Sequence, residues 1–193
     1  LATSLGKTCT PSLPVLLYCA RLSFENAPFD FIEAICGMQG YQAVIVGDGP
    51  LYTEVQRRSS KLEIPVHFWR TIDYEFLPDV LSRADVSLYP YSRYIGGISQ
   101  VIPLTMACGG VVITTDIGDN RSNIVNGVNG FLVPEVDIAA MRKLLNDILS
   151  GRIDISNIRQ HARATIADRW SIQSRNQEYA GLLKVFDRVT TAD

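Results

Sequence analysis

A chain of 193 residues, 47% hydrophobic and 20% charged, can bury one sizeable core, and a single domain over residues 1–193 is the simplest organisation. Its formal charge of -2 gives no broad attraction for nucleic acid or an anionic lipid surface, so any phosphate binding has to be local. The longest apolar runs, such as Val15-Leu16-Leu17-Tyr18-Cys19-Ala20, fall far short of the ~20 residues that cross a bilayer.

Short apolar runs alternate with helix-length amphipathic segments, the pattern of βαβ units and a doubly wound, mostly parallel α/β sheet with helices on both faces. After a loosely held start at Leu1–Leu13, a strand is predicted at Val15–Cys19. A helix follows from Pro28 or Phe29 to Gly37, with Phe29, Ile32, Ile35 and Cys36 at helical spacing while Asp30 and Glu33 face water. The second strand, Gln42–Val46, leads through Gly49-Pro50 into a helix from Leu51 to Lys61. A third, Val66–Trp69, precedes a helix from Asp73 or Glu75 to Ala84, in which Pro78 must sit early, where a missing N–H does little harm. Val86–Tyr89 is the fourth strand, and Pro103 places the start of the next helix near Ser99 or Gln100.

The fifth strand, Val111–Thr114, runs into a polar turn, Gly118-Asp119-Asn120-Arg121, where Asp119 and Arg121 are expected to pair with each other or with solvent. Phe131–Val133 is the sixth strand. Asp137 is expected to cap a helix carrying Ile138, Met141, Leu144, Leu145, Ile148 and Leu149 on one face and ending at Gly151. A further helix runs near Ile155–Arg169. Ser171 can cap a last one, whose Ile172, Tyr179, Leu182, Leu183 and Phe186 would face the body; the final residues Thr190–Asp193 are again loosely held.

Cys9, Cys19, Cys36 and Cys108 lie far apart without metal spacing and read as reduced, mostly buried thiols, which suits the cytoplasm. With His67 and His161 as the two histidines, no His-based metal site is expected. In a sheet of this kind ligands sit beyond the carboxyl ends of the strands. Gly47-Asp48-Gly49-Pro50 lies there, either as a plain turn or as a loop whose glycines let the backbone come close to a ligand. Arg21, after the first strand, is either a surface ion pair or a bidentate phosphate ligand. Gly96-Gly97 leads into a helix start that either binds a diphosphate through backbone N–H groups or is a flexible loop capped by Ser99. Trp69, Tyr89, Tyr91 and Tyr94 could stack on a nucleobase, although Trp69 and Tyr89 read better as core.

Five segments in this order carry a resemblance: Ala20-Arg21-Leu22 with Glu25; Val46-Gly47-Asp48-Gly49-Pro50; Arg83-Ala84-Asp85-Val86-Ser87-Leu88-Tyr89-Pro90-Tyr91-Ser92; Met106-Ala107-Cys108-Gly109; and Asn126-Gly127-Val128-Asn129-Gly130-Phe131-Leu132-Val133-Pro134. Together they resemble the C-terminal, donor-binding lobe of a GT-B-fold, family 4 (group 1) retaining glycosyltransferase. That resemblance implies a Rossmann-like lobe with a helical C-terminal tail and a nucleotide-sugar donor. It implies no metal and no cofactor, and an acceptor, a sugar or lipid-linked, held by an N-terminal lobe outside this chain.

The donor diphosphate would then lie on Arg21, Asn26, Gly97, Ile98, Ser99 and Gln100. The nucleoside and sugar would meet Gly47, Asp48, Gly49, Trp69, Arg70, Gly96, Val101 and Leu104. Three positions depart from the family pattern: Asn26 stands where a lysine is expected, and Gly96 and Leu104 stand where its two glutamates fall. The resemblance therefore implies a transferase of glycan or glycolipid synthesis in the full-length protein, cytoplasmic and open to peripheral membrane contact, with this chain alone inactive. The departures keep a second reading open, a degenerate non-catalytic subunit or scaffold, and a nucleotide-sugar epimerase is a third. Because the chain begins with Leu1 rather than Met, it is expected to be a piece of a longer protein.

Overall fold

The structure is a computed structural model that describes residues 13–92 and 99–174. Six strands, β1 (Val15–Cys19), β2 (Gln42–Val46), β3 (Val66–Trp69), β4 (Val86–Tyr89), β5 (Val111–Thr115) and β6 (Phe131–Val133), form one sheet in the order β3-β2-β1-β4-β5-β6. Every pairing is parallel, in a register such as Val15 with Gln42 and Val86 with Val111. The strands are almost continuously apolar because both faces are covered, which is what a parallel sheet requires.

Alternate residues go to opposite layers. Leu16, Tyr18, Ala43, Ile45, Leu88 and Ile113 pack beneath α1 (Pro28–Ile35), α2 (Tyr52–Lys61) and α6 (Ile138–Leu149). Leu17, Cys19, Val44, Val46, Tyr89 and Val112 pack beneath α3 (Leu77–Arg83) and α4 (Val101–Ala107). The last described full helix, α7 (Ser156–Trp170), contributes Ile158 to the first cluster and Ala162 to the second, so it ties the two layers together.

Specific polar bonds fix this arrangement. Asp85, in the Arg83-Ala84-Asp85 run, accepts from the Val15 amide (2.8 Å) and from Arg159 of α7 (3.2 Å), pinning the sheet's amino-terminal edge to the tail helix. Arg142 on α6 donates to the Ala34 carbonyl (3.2 Å) and to the Glu33 carbonyl, satisfying the end of α1. Asn129 is buried, and its amide donates to Asn123 O (3.1 Å) and Thr165 Oγ1 (3.0 Å) while its oxygen accepts from Val125 N (2.7 Å). The Asn126–Gly130 turn thus carries bonds that tie the scaffold together.

Within the described residues the expected elements are present, with shifts at their ends, but Ile172, expected to face the body, is exposed. Pro78 falls in the first turn of α3, but the stretch before it, Tyr74–Phe76, is a 3₁₀ turn. Asp137 caps α6 by accepting from Ala140 N (2.8 Å), and Ser171 accepts from Ser174 N (3.1 Å) as a further helical turn begins. The polar turn contains a short helix, α5 (Asn120–Asn123), and Arg121 pairs with Asp116 (2.9 Å) instead of Asp119, because the turn brings the end of β5 under the guanidinium. Cys19, Cys36 and Cys108 are free thiols, as expected. Among the described residues no helix is long and apolar enough to cross a membrane. The expectations for Leu1–Ser12, Cys9, Tyr179, Leu182, Leu183, Phe186 and Thr190–Asp193 lie outside the described residues.

Asn129→Ala would take away the partner of the Val125 amide and of the Asn123 carbonyl, at a turn whose residues 125–128 are exposed but whose Asn129 side chain is buried. The expected cost is about 2–3 kcal/mol of unfolding free energy, read from urea denaturation at unchanged slope.

Candidate functional site

The strand order reverses between β1 and β4, since β2 and β3 lie to one side of β1 while β5 and β6 lie to the other side of β4. The loops leaving those two strands diverge to opposite layers, and the gap between them is where an open α/β sheet holds a ligand. The site is therefore built from the loop 20–27 after β1, the loop 47–51 after β2 and residues 90–92 and 99–100 after β4. Gly96, Gly97 and Ile98, with Tyr94, lie outside the described residues.

The β1 and β2 loops are one unit. Backbone pairing continues past the strands, with Ala20 N donating to Val46 O (3.1 Å), Leu22 N to Asp48 O (3.0 Å) and Leu51 N to Leu22 O (3.0 Å). The two backbones come so close that a Cβ on Gly47 would stand 2.0 Å from the Ala20 carbonyl oxygen, and one on Gly49 2.4 Å from that of Leu22. Both glycines also have positive φ, 150° and 157°. The close approach that these glycines permit is thus to the neighbouring loop. Asp48 accepts from Gly49 N (2.8 Å) and faces Arg70 at 3.9 Å, while the Arg70 guanidinium lies over the Tyr52 ring at 4.2 Å.

Arg21 is exposed, and its guanidinium has no ion pair or hydrogen bond among the described residues. Its backbone is tightly held. The Asn26 amide donates to the Arg21 carbonyl (2.8 Å), and the buried Tyr18 hydroxyl lies within reach of the carbonyls of Asn26 (3.1 Å) and Arg21 (3.3 Å), sharing its one proton between them. Across the gap, Ser92 donates from its amide to Glu25 O (3.1 Å) and from its hydroxyl to Phe24 O (3.0 Å), so the β4 loop is fastened to the β1 loop.

On the β4 side, α4 begins at Val101 with Gln100 as its first flanking residue, which makes no side-chain capping bond. Ser99 does not cap the helix; its hydroxyl pairs with Tyr91 at 2.6 Å. Tyr91 stacks on Tyr89 (6.1 Å between ring centres), whose hydroxyl pairs with Thr105 of α4 (2.8 Å). Thr114 and Thr115 donate to the carbonyls of Tyr89 (2.8 Å) and Tyr91 (2.7 Å), holding the strand end from β5. Both tyrosines are buried, so neither offers a free face to a base. Val101 and Leu104 are half-buried against the same apolar cluster.

Of the residues singled out in the sequence, Arg21, Asn26, Gly47, Asp48 and Gly49 come together on two bonded loops. Ser99, Gln100, Val101 and Leu104 sit on the start of α4, tied back to β4. Trp69 and Arg70 part company, because Trp69 packs into the α3–α4 layer while Arg70 turns to Tyr52 of α2. The sequence reading passed over Tyr18 and Ser92. A tyrosine inside the aliphatic run Val15-Leu16-Leu17 was a signal that a hydroxyl needs a buried partner; nothing marked Ser92.

Burial raises the Tyr18 and Tyr89 hydroxyls well above their ordinary range, and pushes both the Tyr91 hydroxyl and the Cys19 thiol up to about 12. The floor of the gap is thus uncharged at neutral pH and offers no proton donor or acceptor tuned for transfer there. Among the described residues no group of three or more His, Cys, Asp or Glu could hold a metal ion. What the arrangement provides is an exposed cation on a rigid loop.

A family model described as "Glycosyl transferases group 1" matches residues 13–150. The chain is 30% identical over 146 residues to the GDP-mannose-dependent alpha-(1-6)-phosphatidylinositol monomannoside mannosyltransferase of Mycolicibacterium smegmatis, covering 72% of this chain and 38% of that protein. It is 24% identical over 163 residues to the 2-deoxystreptamine N-acetyl-D-glucosaminyltransferase of Streptomyces fradiae, covering 80% and 38%. Among solved structures, Anabaena HepE in complex with UDP superposes with a TM-score of 0.83 at 21% identity, covering 95% of this chain and 51% of that one. Sucrose-phosphate synthase from Thermosynechococcus elongatus gives 0.84 at 20% identity, covering 97% and 49%. At this identity the superpositions establish the fold alone, the Rossmann-like parallel sheet covered by helices on both faces. The chain spans well under half the length of these two curated relatives.

Two outcomes test this geometry. Gly47→Ala should cost about 3 kcal/mol of stability, from the clash with the Ala20 carbonyl and the left-handed backbone together, again by urea unfolding. Because Cys19 and Tyr91 lose their protons later in the folded chain than in the unfolded one, their contribution to stability is complete below about pH 9. It should fall by about 1.4 kcal/mol per pH unit per group as the pH rises from about 9 for Cys19 and about 10 for Tyr91 toward about 12, seen as urea midpoints dropping between about pH 9 and 12.

Proposed function

Starting from the fact that the chain belongs to the group 1 glycosyl transferases, we propose that it is the donor-binding lobe of a retaining glycosyltransferase. Its donor is a nucleotide-sugar, and its acceptor, a sugar or a lipid-linked sugar, is held by an N-terminal lobe outside this chain. The observation that carries the reading is Arg21: an exposed guanidinium, without an ion pair or hydrogen bond among the described residues, on a bonded loop at the point where the strand order reverses. A guanidinium there can grip two oxygens of a diphosphate and stabilise the charge that builds on the departing nucleotide.

On this reading the start of α4 adds backbone N–H groups toward the same diphosphate, and the loop after β2 borders the nucleoside. No titrating group of the floor takes part. Catalysis in the donor lobe is electrostatic and positional, a hexosyl group is transferred without metal or cofactor, and the chain by itself does not turn over. The M. smegmatis relative is named as GDP-mannose-dependent whereas the Anabaena neighbour is named with UDP, so both bases belong in the test.

A second reading, a non-catalytic glycosyltransferase-like subunit, is favoured by two side chains. The Asn26 amide is engaged by the Arg21 carbonyl, and Leu104 packs against the apolar cluster where the family pattern has a carboxylate.

The full-length protein should bind UDP or GDP, and Arg21→Ala should weaken that binding by about 10- to 100-fold with little change in melting temperature. If neither nucleotide nor any UDP-, GDP- or ADP-sugar bound in a calorimetric titration at millimolar ligand, the donor-lobe reading would fail and the subunit reading would stand. Binding without turnover on any acceptor tried would leave the lobe assignment intact but remove the enzyme.

A further inference from the structure

We propose that Asn26 is a positioning residue: its side-chain amide, together with the Tyr18 hydroxyl, holds the β1–α1 loop in the one shape that presents Arg21 to an anionic ligand. The inference rests on the diphosphate reading above and deepens it, since it assigns to Asn26 a role through Arg21 in place of direct contact with phosphate.

Asn26 closes a ring in the chain by donating to the carbonyl of Arg21 at 2.8 Å. Tyr18 supports the same ring from beneath, with its hydroxyl 3.1 Å from the Asn26 carbonyl and its ring packed 5.5 Å from that of Phe31. Ser92 fastens the far side through the Phe24 and Glu25 carbonyls, and the Leu22 amide and carbonyl are both bonded to the β2 loop. The peptide group after Arg21 and the Ala20 amide before it are therefore held by hydrogen bonds, while the Arg21 side chain stays exposed. A cation on a backbone already in place gives up less conformational freedom when it grips a ligand, so its affinity depends on the struts beneath it. Releasing one strut exposes a carbonyl that water can reach, which costs folding little but lets the loop wander.

Direct contact and positioning differ in how the two residues combine. If Asn26 touched the phosphates itself, its loss and that of Arg21 would add; if it acts through Arg21, removing Arg21 first makes its loss silent. Tyr18 sharpens the distinction, because a fully buried hydroxyl cannot reach a ligand at all.

The test is calorimetric titration of the full-length protein with UDP and GDP, using wild type, Asn26→Ala, Tyr18→Phe, Arg21→Ala and both doubles with Arg21→Ala, with melting temperatures alongside. Asn26→Ala and Tyr18→Phe are each expected to weaken binding about fivefold in the wild-type background and less than about 1.5-fold once Arg21 is gone. Additive losses, or full affinity in both single variants, would overturn the proposal while leaving Arg21 as a phosphate ligand. Absence of nucleotide binding by the wild type would overturn the donor reading and this inference with it. Tyr18→Phe keeps the ring that packs on Phe31, so it decides the matter even if Asn26→Ala folds poorly.

Discussion

The close backbone approach between Ala20–Leu22 and Gly47–Gly49 is the constraint on which the rest of the site depends. Parallel strands normally separate once their ladder ends, and the loops above them become independent. Here the ladder runs on for two more bonds, and a carbonyl oxygen occupies the volume that a side chain at Gly47 or Gly49 would fill. The loop carrying Arg21 is thereby anchored to β2 as firmly as the strand beneath it. Ser92 extends the anchoring to the other side of the strand reversal, so the loops after β1 and β2 and the first residues after β4 are joined by hydrogen bonds. Preorganisation of this kind gives value to a lone guanidinium that, on a mobile loop, would be one more solvated charge.

How much of this could be read in the sequence follows from the range of the interactions. Strands and helices were legible because both layers are buried, so that β1 to β6 are near-continuous apolar runs and the helices carry one apolar stripe each. Local chemistry was legible too: Asp137 caps α6, and Pro78 and Pro103 fall in first turns. The glycines of Gly47-Asp48-Gly49 were recognised as a place of close approach, but what they approach is set by a neighbouring strand 27 residues away in the chain, as the separation of Gly47 from Ala20 shows. Arg121 was expected to pair with Asp119 or with solvent, and the turn geometry brings Asp116 to it. Ser99 has the residue type of a helix cap, yet Tyr91 takes its hydroxyl, because a buried phenol is costly to leave without a hydrogen-bond partner.

The floor of the gap constrains the chemistry that can be proposed. Tyrosine and cysteine side chains at strand ends are familiar acids and nucleophiles, but Tyr18, Tyr89, Tyr91 and Cys19 are all shifted by burial toward remaining neutral. Each hydroxyl is also bonded to a loop or helix: Tyr18 to the β1 loop, Tyr89 to Thr105 and Tyr91 to Ser99. These groups brace the loops from below. On the donor reading proposed above, the chain would contribute a fixed positive charge and oriented backbone, which is what a reaction with a departing nucleoside diphosphate asks.

Asn26 and Leu104, the two departures from the family pattern that weigh most, then have different consequences. A lysine at position 26 would bring a second cation, but an amide at that position completes a ring that stiffens the first, so the loss in charge is partly offset by geometry. Leu104 has no such offset. It lies half-buried on α4 beside Val101 and against the cluster that includes Tyr89 and Ile102, and its methyl groups add apolar packing there in place of a hydrogen-bond acceptor. A ribose that would have bonded a carboxylate at this position must on the donor reading find its acceptor elsewhere or remain solvated. The weight of donor binding therefore shifts toward the diphosphate end, which makes the rigidity of the Arg21 loop more consequential in this chain than in a relative with both carboxylates in place.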